Sequence, residues 1–173
     1  MPDTITLTPI GIVRSEYKDP VGVPINPVFC KGVKGQIEIF PEYAPALKDL
    51  DGFSHIHVIS FFHHSQGYRL VTQPFTDDEL HGLFTTRSPR RPNPLGLSVV
   101  RLIKVEDNVL HIEETDMIDG TPVLDIKPFH PQLDHRSDVR LGWLGDRLDK
   151  VKKVGEVIYD QRYVPGGRRK RGD

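Results

Sequence analysis

Between Gly82 and Ser98 the chain reads GLFTTRSPRRPNPLGLS, which sets Arg87, Arg90 and Arg91 among Pro89, Pro92 and Pro94. Proline fixes φ and removes a backbone donor, so the segment is stiff, while each guanidinium is a planar fork suited to carboxylate or phosphate. Such a loop reads as an anion-holding element with a low ordering cost, against the plainer reading of a surface loop with solvated arginines. Histidines form a second group. There are eight, with His55 and His57 alternating along one predicted strand and His63, His64 and His81 nearby. A His-x-His pair on a strand is a common start for a metal site, but no well-spaced carboxylate and third histidine complete it, so structural hydrogen bonding is the reading for His55. Asp116 and Asp119 fall in Glu113-Glu114-Thr115-Asp116-Met117-Ile118-Asp119-Gly120, where a strand gives way to a turn. Acids in that place cap their own backbone or, at a rim, offer a carboxylate to a cation. Cys30 has no paired base in sequence, and Gly-x-Ser-x-Gly elbows, phosphate-binding loops and dinucleotide fingerprints do not occur. Nucleophilic catalysis, nucleotide hydrolysis and a Rossmann cofactor site are therefore unsupported.

The elements that must position these residues are mostly strands. β-branched runs bounded by turn residues appear at Ile5–Val13, Gly35–Phe40, His55–Phe62, Ser98–Glu106, Val109–Glu113 and Pro122–Lys127. Asp107-Asn108 predicts a tight hairpin, since both residues tolerate positive φ. Helical signals are few: Pro41 to Leu50, a cap at Thr76-Asp77-Asp78-Glu79, and Asp138 to about Lys153. The expected fold is mainly β, a small closed barrel with a few short helices and long loops, because closure removes exposed edges and lets loops at one end build a site. The expected division is a barrel over 1–136, a helical or extended element over 137–165 and a basic flexible tail over 166–173.

Size and charge bound the rest. A chain of 173 residues with net charge −1 fits one principal domain and carries no global field toward nucleic acid or anionic lipid, so any RNA contact must be local. One cysteine excludes an internal disulfide and a thiolate zinc cage, as expected in a reducing compartment. The first thirty residues hold no long apolar run, so no membrane anchor is expected and the expected location is the cytoplasm. Basic residues gather late, at Lys150, Lys152, Lys153, Arg162, Arg168, Arg169, Lys170 and Arg171. They make either an RNA-contacting or a merely solubilising end.

The segment Gly82-x-Phe84-x-x-Arg87-Ser88-x-x-Arg91-Pro92-Asn93-Pro94 resembles the signature of the TsaA-like (TrmO-type) family of S-adenosylmethionine-dependent tRNA methyltransferases. Pro9-Ile10-Gly11-Ile12-Val13-Arg14-Ser15, Phe53-Ser54-His55 and Asp119-Gly120-Thr121-Pro122-Val123-Leu124-Asp125-Ile126-Lys127-Pro128 extend the resemblance, in order, over about three quarters of the chain. Leu83 and Arg90 depart from the pattern, which has a smaller residue and an aromatic there. The resemblance implies a β-barrel that forms a homodimer, with S-adenosylmethionine near the subunit interface. It implies methyl transfer to the N6 nitrogen of threonylcarbamoyladenosine next to a tRNA anticodon. Carried over residue by residue, it marks Pro24, Ile25, Asn26, His63, His64, Arg87, Leu97, Thr115 and Asp116 as cofactor-binding. The acceptor nitrogen must lose a proton to Asp116, Asp119 or a water, three acceptors the sequence leaves open. Arg90 and Arg91 of the loop are the residues expected to contact RNA, and no metal is expected. The rival readings are a non-catalytic RNA-binding barrel, for which only Tyr68, Phe75 and Phe84 offer stacking near the loop, and a metal-dependent barrel hydrolase.

Overall fold

The computed structural model describes residues 4–147 except Phe75 and Asp146. The tail and most of the C-terminal element expected above lie outside the described residues, as does Phe75. Among the described residues there are eight strands: β1 (Gly11–Arg14), β2 (Lys34–Ile39), β3 (His55–Phe61), β4 (Val71–Thr72), β5 (His81–Gly82), β6 (Leu95–Glu106), β7 (Val109–Glu113) and β8 (Pro122–Pro128). Six close into an antiparallel barrel in the order β1-β2-β7-β6-β3-β8, while β4 and β5 form a separate two-stranded ribbon. The closed barrel with few helices is the architecture the sequence predicts.

Its core follows from alternation. Val13, Ile37, Ile39, Ile56, Val58, Val100, Leu102, Leu110, Ile112 and Val123 occupy every second position of their strands and fill the interior, joined by Met117 from the β7–β8 connection. Each such side chain removed from water contributes roughly 1.5–3 kcal/mol before chain entropy is charged against it. Asp107 takes φ 52° at the β6–β7 turn, as its place in the predicted hairpin requires, and the neighbouring Asn108 Nδ2 donates to the carbonyl of Ile39 at 2.6 Å. A register shift between Leu102 and Lys104 leaves Ile103 outside and Leu102 inside.

Three expectations change. Pairing of the first strand begins only at Gly11, where the β2 and β8 partners Ile39 and Val123 become available. Thr76–Glu79 starts no helix: Asp77 Oδ1 accepts from the Glu79 amide at 3.2 Å, closing a local turn instead. The Pro41–Leu47 segment is a 3-10 helix, with Pro45 inside it denying an α-helical hydrogen bond. A four-residue helix, α1 (Pro131–Asp134), follows β8, and Gly142–Leu144 forms a 3-10 turn opened by Gly142 at φ 58°.

The barrel's ends are unequal. The β1–β2 connection (15–33), the β3–β6 connection (62–94) and the β7–β8 connection (114–121) all leave from one end. The opposite end carries the two-residue hairpin and the 3-10 segments between β2 and β3. Every candidate site residue lies in one of the three connections or, for Leu97, beside them at the start of β6.

Candidate active site

Asp116 is where the three connections meet. Its Oδ1 accepts a 2.7 Å hydrogen bond from Ser98 Oγ, a buried hydroxyl on the inner face of β6. Burial pushes the Asp116 carboxyl up to about 6, against the opposing pull of the Ser98 hydroxyl and the Arg87 charge, so that loop's guanidinium reaches the carboxylate electrostatically. Cys30, from the β1–β2 connection, is buried with its thiol pushed well up, first by burial and then by the Asp116 and Glu114 carboxylates nearby. A thiol held neutral in this way is no nucleophile. Its Sγ donates to the Asn26 carbonyl at 3.3 Å, which ties the proline-rich turn to the same spot.

The Pro24–Asn26 stretch is held by that turn. Pro24 and Pro27 are buried, Ile25 is half-buried, and Asn26 Oδ1 caps the Pro27–Phe29 turn by accepting from the Val28 amide at 3.1 Å. Thr115 is fully buried and its Oγ1 accepts from the Met117 amide at 3.3 Å, so its side chain belongs to the packing below Asp116. Leu97, which pairs with Ile59 across β3, faces outward and is 57% exposed, an apolar surface on the strand that carries Ser98.

Asp119 is a different kind of acid. Its Oδ2 pairs with Lys18 at 2.9 Å and its Oδ1 accepts from the Ser15 amide at 3.0 Å, and the Lys18 contact leads in holding the carboxyl below its usual range. Two carboxylates three residues apart are thus driven in opposite directions, one toward proton exchange near neutrality and one toward permanent charge. His63 stands at the same barrel end, Nδ1 3.4 Å from Thr121 Oγ1. Burial first, then the neighbouring His64 ring 4.1 Å away, lowers its pKa, which leaves a neutral donor-acceptor at neutral pH.

The arginine loop is stapled from within. Arg91 Nη1 donates to the Thr86 carbonyl at 2.9 Å, with the Leu83 and Ser88 carbonyls at 3.5 Å, and its guanidinium lies 5.8 Å from the centre of the Phe84 ring. Arg91 therefore shapes the loop, while Arg87 and Arg90 are exposed. Ser65 Oγ donates to the Pro89 carbonyl at 2.9 Å and anchors the loop's tip to the end of β3.

The histidine pair lies elsewhere. His55 Nδ1 is 2.9 Å from Ser54 Oγ, and His57 Nε2 is 3.2 Å from Asp134 Oδ1 of α1, on the outside of β3. Among the described residues no three His, Cys, Asp or Glu side chains come together as a metal site. A groove of about 670 Å³ runs along the outside of β1, β2 and β7, but shares only Asp119 with the candidates, and Arg14 and Lys104 on its walls are already paired with Glu38 and Glu106.

Ser98 escaped assignment from sequence. The signal was present: strand alternation puts it on the inner face with Val100 and Leu102, and a hydroxyl among core positions needs a partner.

The sequence pattern of tRNA-methyltransferase O N-terminal domains matches residues 12–135. A probable S-adenosyl-L-methionine-binding protein of Pyrococcus abyssi is 46% identical over 89% of this chain and 84% of its own. The tRNA (adenine(37)-N6)-methyltransferase of Escherichia coli is 37% identical over 70% of this chain and 56% of its own. The crystal structure of TrmO from Pseudomonas aeruginosa superposes with a TM-score of 0.68 at 34% identity, covering 81% of this chain and 62% of that one. The chain thus spans most of the archaeal relative and little more than half of the bacterial ones. It belongs to the tRNA-methyltransferase O N-terminal domain family.

Proposed function

We propose that this member of the family transfers a methyl group from S-adenosylmethionine to the N6 nitrogen of threonylcarbamoyladenosine next to the anticodon of a tRNA. The observation that carries the reading is Asp116: a half-buried carboxylate, pinned by Ser98 and within the field of Arg87, where all three long connections converge. S-adenosylmethionine supplies a methyl group already activated on a sulfonium, together with a carboxylate, a ribose and a base. The residues at this end fit those groups by type. Asp116 offers a desolvated negative charge to a cation, exposed Arg87 a fork to a carboxylate, and Leu97 an apolar surface to a methylene or base. Pro24, Ile25 and Asn26 form a stiff wall held by the Cys30 turn, and His63 and His64 offer ring nitrogens at the same barrel end.

No covalent intermediate is needed, since holding acceptor and methyl in line provides most of the acceleration for a displacement of this kind. The acceptor nitrogen still gives up a proton. Asp116 takes it, because a carboxyl near 6 both ionises at neutral pH and retains useful basicity, whereas Asp119 is already committed to Lys18. Arg90, exposed at the loop's tip, meets RNA phosphate, and the basic tail adds to it. Arg91 contributes through the loop's shape and the guanidinium face it keeps over Phe84.

The active form is a homodimer in the cytoplasm. Phe61, Leu95 and Leu97 leave an apolar strip open on the outside of β3 and β6, the kind of surface a second copy covers. Light scattering at micromolar concentration checks the dimer. Calorimetric titration with S-adenosylmethionine tests the site: saturable binding that Arg87→Ala weakens supports it, and equal binding in wild type and variant removes Arg87 from it.

A further inference from the structure

Trp143, the chain's one tryptophan, lies beyond the residues the family pattern covers. Its Nε1 donates to Thr85 Oγ1 at 2.9 Å, and its ring stacks on His81, with centroids 4.0 Å apart and planes 15° from parallel. Thr85 closes the 3-10 turn Leu83–Thr85 and its hydroxyl donates in turn to the Gly82 carbonyl at 2.8 Å. His81, in β5, is gripped from behind: its Nε2 lies 2.9 Å from Oδ2 of Asp77, a buried carboxylate that also pairs with Arg147. Two residues of the C-terminal segment, Trp143 and Arg147, thus hold His81 of the ribbon and the Asp77 behind it, just before the arginine loop departs.

We propose that Trp143 is a positioning residue that latches the C-terminal segment onto the base of the arginine loop and thereby fixes the direction of Arg87. The path is short. Thr85 precedes Thr86, whose carbonyl is the nearest acceptor for Arg91, and Arg87 follows directly. A directional N–H bond to a hydroxyl, combined with a near-parallel ring stack, holds one orientation of the turn, which apolar packing alone does not select. The inference rests on the proposal that Arg87 faces the cofactor, but the latch itself is testable without it.

The first test is hydrogen exchange by mass spectrometry on the full chain, comparing wild type with Trp143→Ala, Trp143→Phe and Thr85→Val. Trp143→Ala loses the hydrogen bond and the ring stack, and Thr85→Val loses its bonds to both Trp143 and the Gly82 carbonyl, so amides over residues 82–91 should exchange at least about three- to tenfold faster in each, the loss of one neutral hydrogen bond setting the lower bound. Trp143→Phe, which keeps the stack and loses the donor, falls between. Unchanged exchange over 82–91 in Trp143→Ala overturns the latch. The second test is functional: the Kd for S-adenosylmethionine rises about three- to tenfold in Trp143→Ala, with kcat at saturating cofactor unchanged, and Trp143→Phe recovers part of the loss. An unchanged Kd, or a fall in kcat alone, contradicts the positioning role. If wild type binds no S-adenosylmethionine, the function proposed above fails while the exchange comparison still decides the latch.

Discussion

Replacing Asp116 by Asn should make the free protein more stable and its cofactor binding weaker. The Asp116 carboxyl climbs from 3.8, its ordinary value, to about 6 in the fold. At about 1.4 kcal/mol per tenfold, the fold carries a cost of about 3 kcal/mol for holding this charge out of water. The sign follows from linkage. A carboxyl whose folded pKa is raised binds a proton more readily folded than unfolded, so its cost is present in full above about 6, shrinks as pH falls toward 4, and is absent below both values. Asparagine has no charge to desolvate and still accepts from Ser98 through Oδ1. Asp116→Asn should therefore gain about 3 kcal/mol at pH 7.5, about 6 to 12 °C in Tm for a chain of this length, and much less at pH 4.5. Thermal melts of both proteins at the two pH values measure the gap directly, and other carboxylates cancel in the difference. A gap no larger at pH 7.5 than at pH 4.5 would refute the burial argument. Calorimetry at pH 7.5 should show the opposite trend for S-adenosylmethionine, with the more stable variant binding more weakly.

Other outcomes follow from the same geometry. Methyl transfer should fall as pH drops through about 6, as Asp116 takes up its proton, and in Arg87→Ala that limb should move to higher pH because a neighbouring cation has been removed; pH–rate profiles of both proteins check this. Ser98→Ala removes the 2.7 Å bond to the carboxylate and should cost about 1–3 kcal/mol by denaturant unfolding at pH 7.5, while also shifting the limb upward. Gly96→Ala places a Cβ 2.5 Å from Ser60 Oγ and 2.9 Å from the Phe62 ring, and should destabilise by about 1–3 kcal/mol. Ser60→Ala should be neutral or stabilising, since that buried hydroxyl has no hydrogen-bond partner among the described residues, and should rescue part of the Gly96→Ala loss in the double variant. Lys18→Ala should change stability by less than about 1 kcal/mol, its ion pair with Asp119 being open to solvent on the lysine side.

The barrel was legible because its strands bury one face each: Ile56 and Val58 in His55–Phe61, and Leu110 and Ile112 in Val109–Glu113, alternate with outward-facing residues and leave little alternative to a strand. Loop conformation was less so. Whether Thr76–Glu79 begins a helix or closes on itself depends on where Asp77 finds partners, and besides the local Glu79 amide those are His81, four residues on, and Arg147, far along the chain. The two-stranded ribbon of Val71–Thr72 with His81–Gly82 is too short to show a period. At the site, residue types pointed to the arginine loop and to Asp116 and Asp119, but local sequence could not separate the two acids. Their difference arises from contacts across the fold, Ser98 and burial for one, Lys18 and Ser15 for the other. Arg91 is a similar case, since its place in a run of three arginines does not reveal that the Thr86 carbonyl takes one of its donors.

The central claim is tested most directly by incubating the full chain with S-adenosylmethionine and tRNA carrying threonylcarbamoyladenosine, then digesting the RNA and weighing its nucleosides. The account predicts that this nucleoside alone becomes one methyl heavier, and that Asp116→Asn abolishes the product while remaining folded. Unmodified nucleosides with wild-type enzyme, or full activity in the variant, would contradict it.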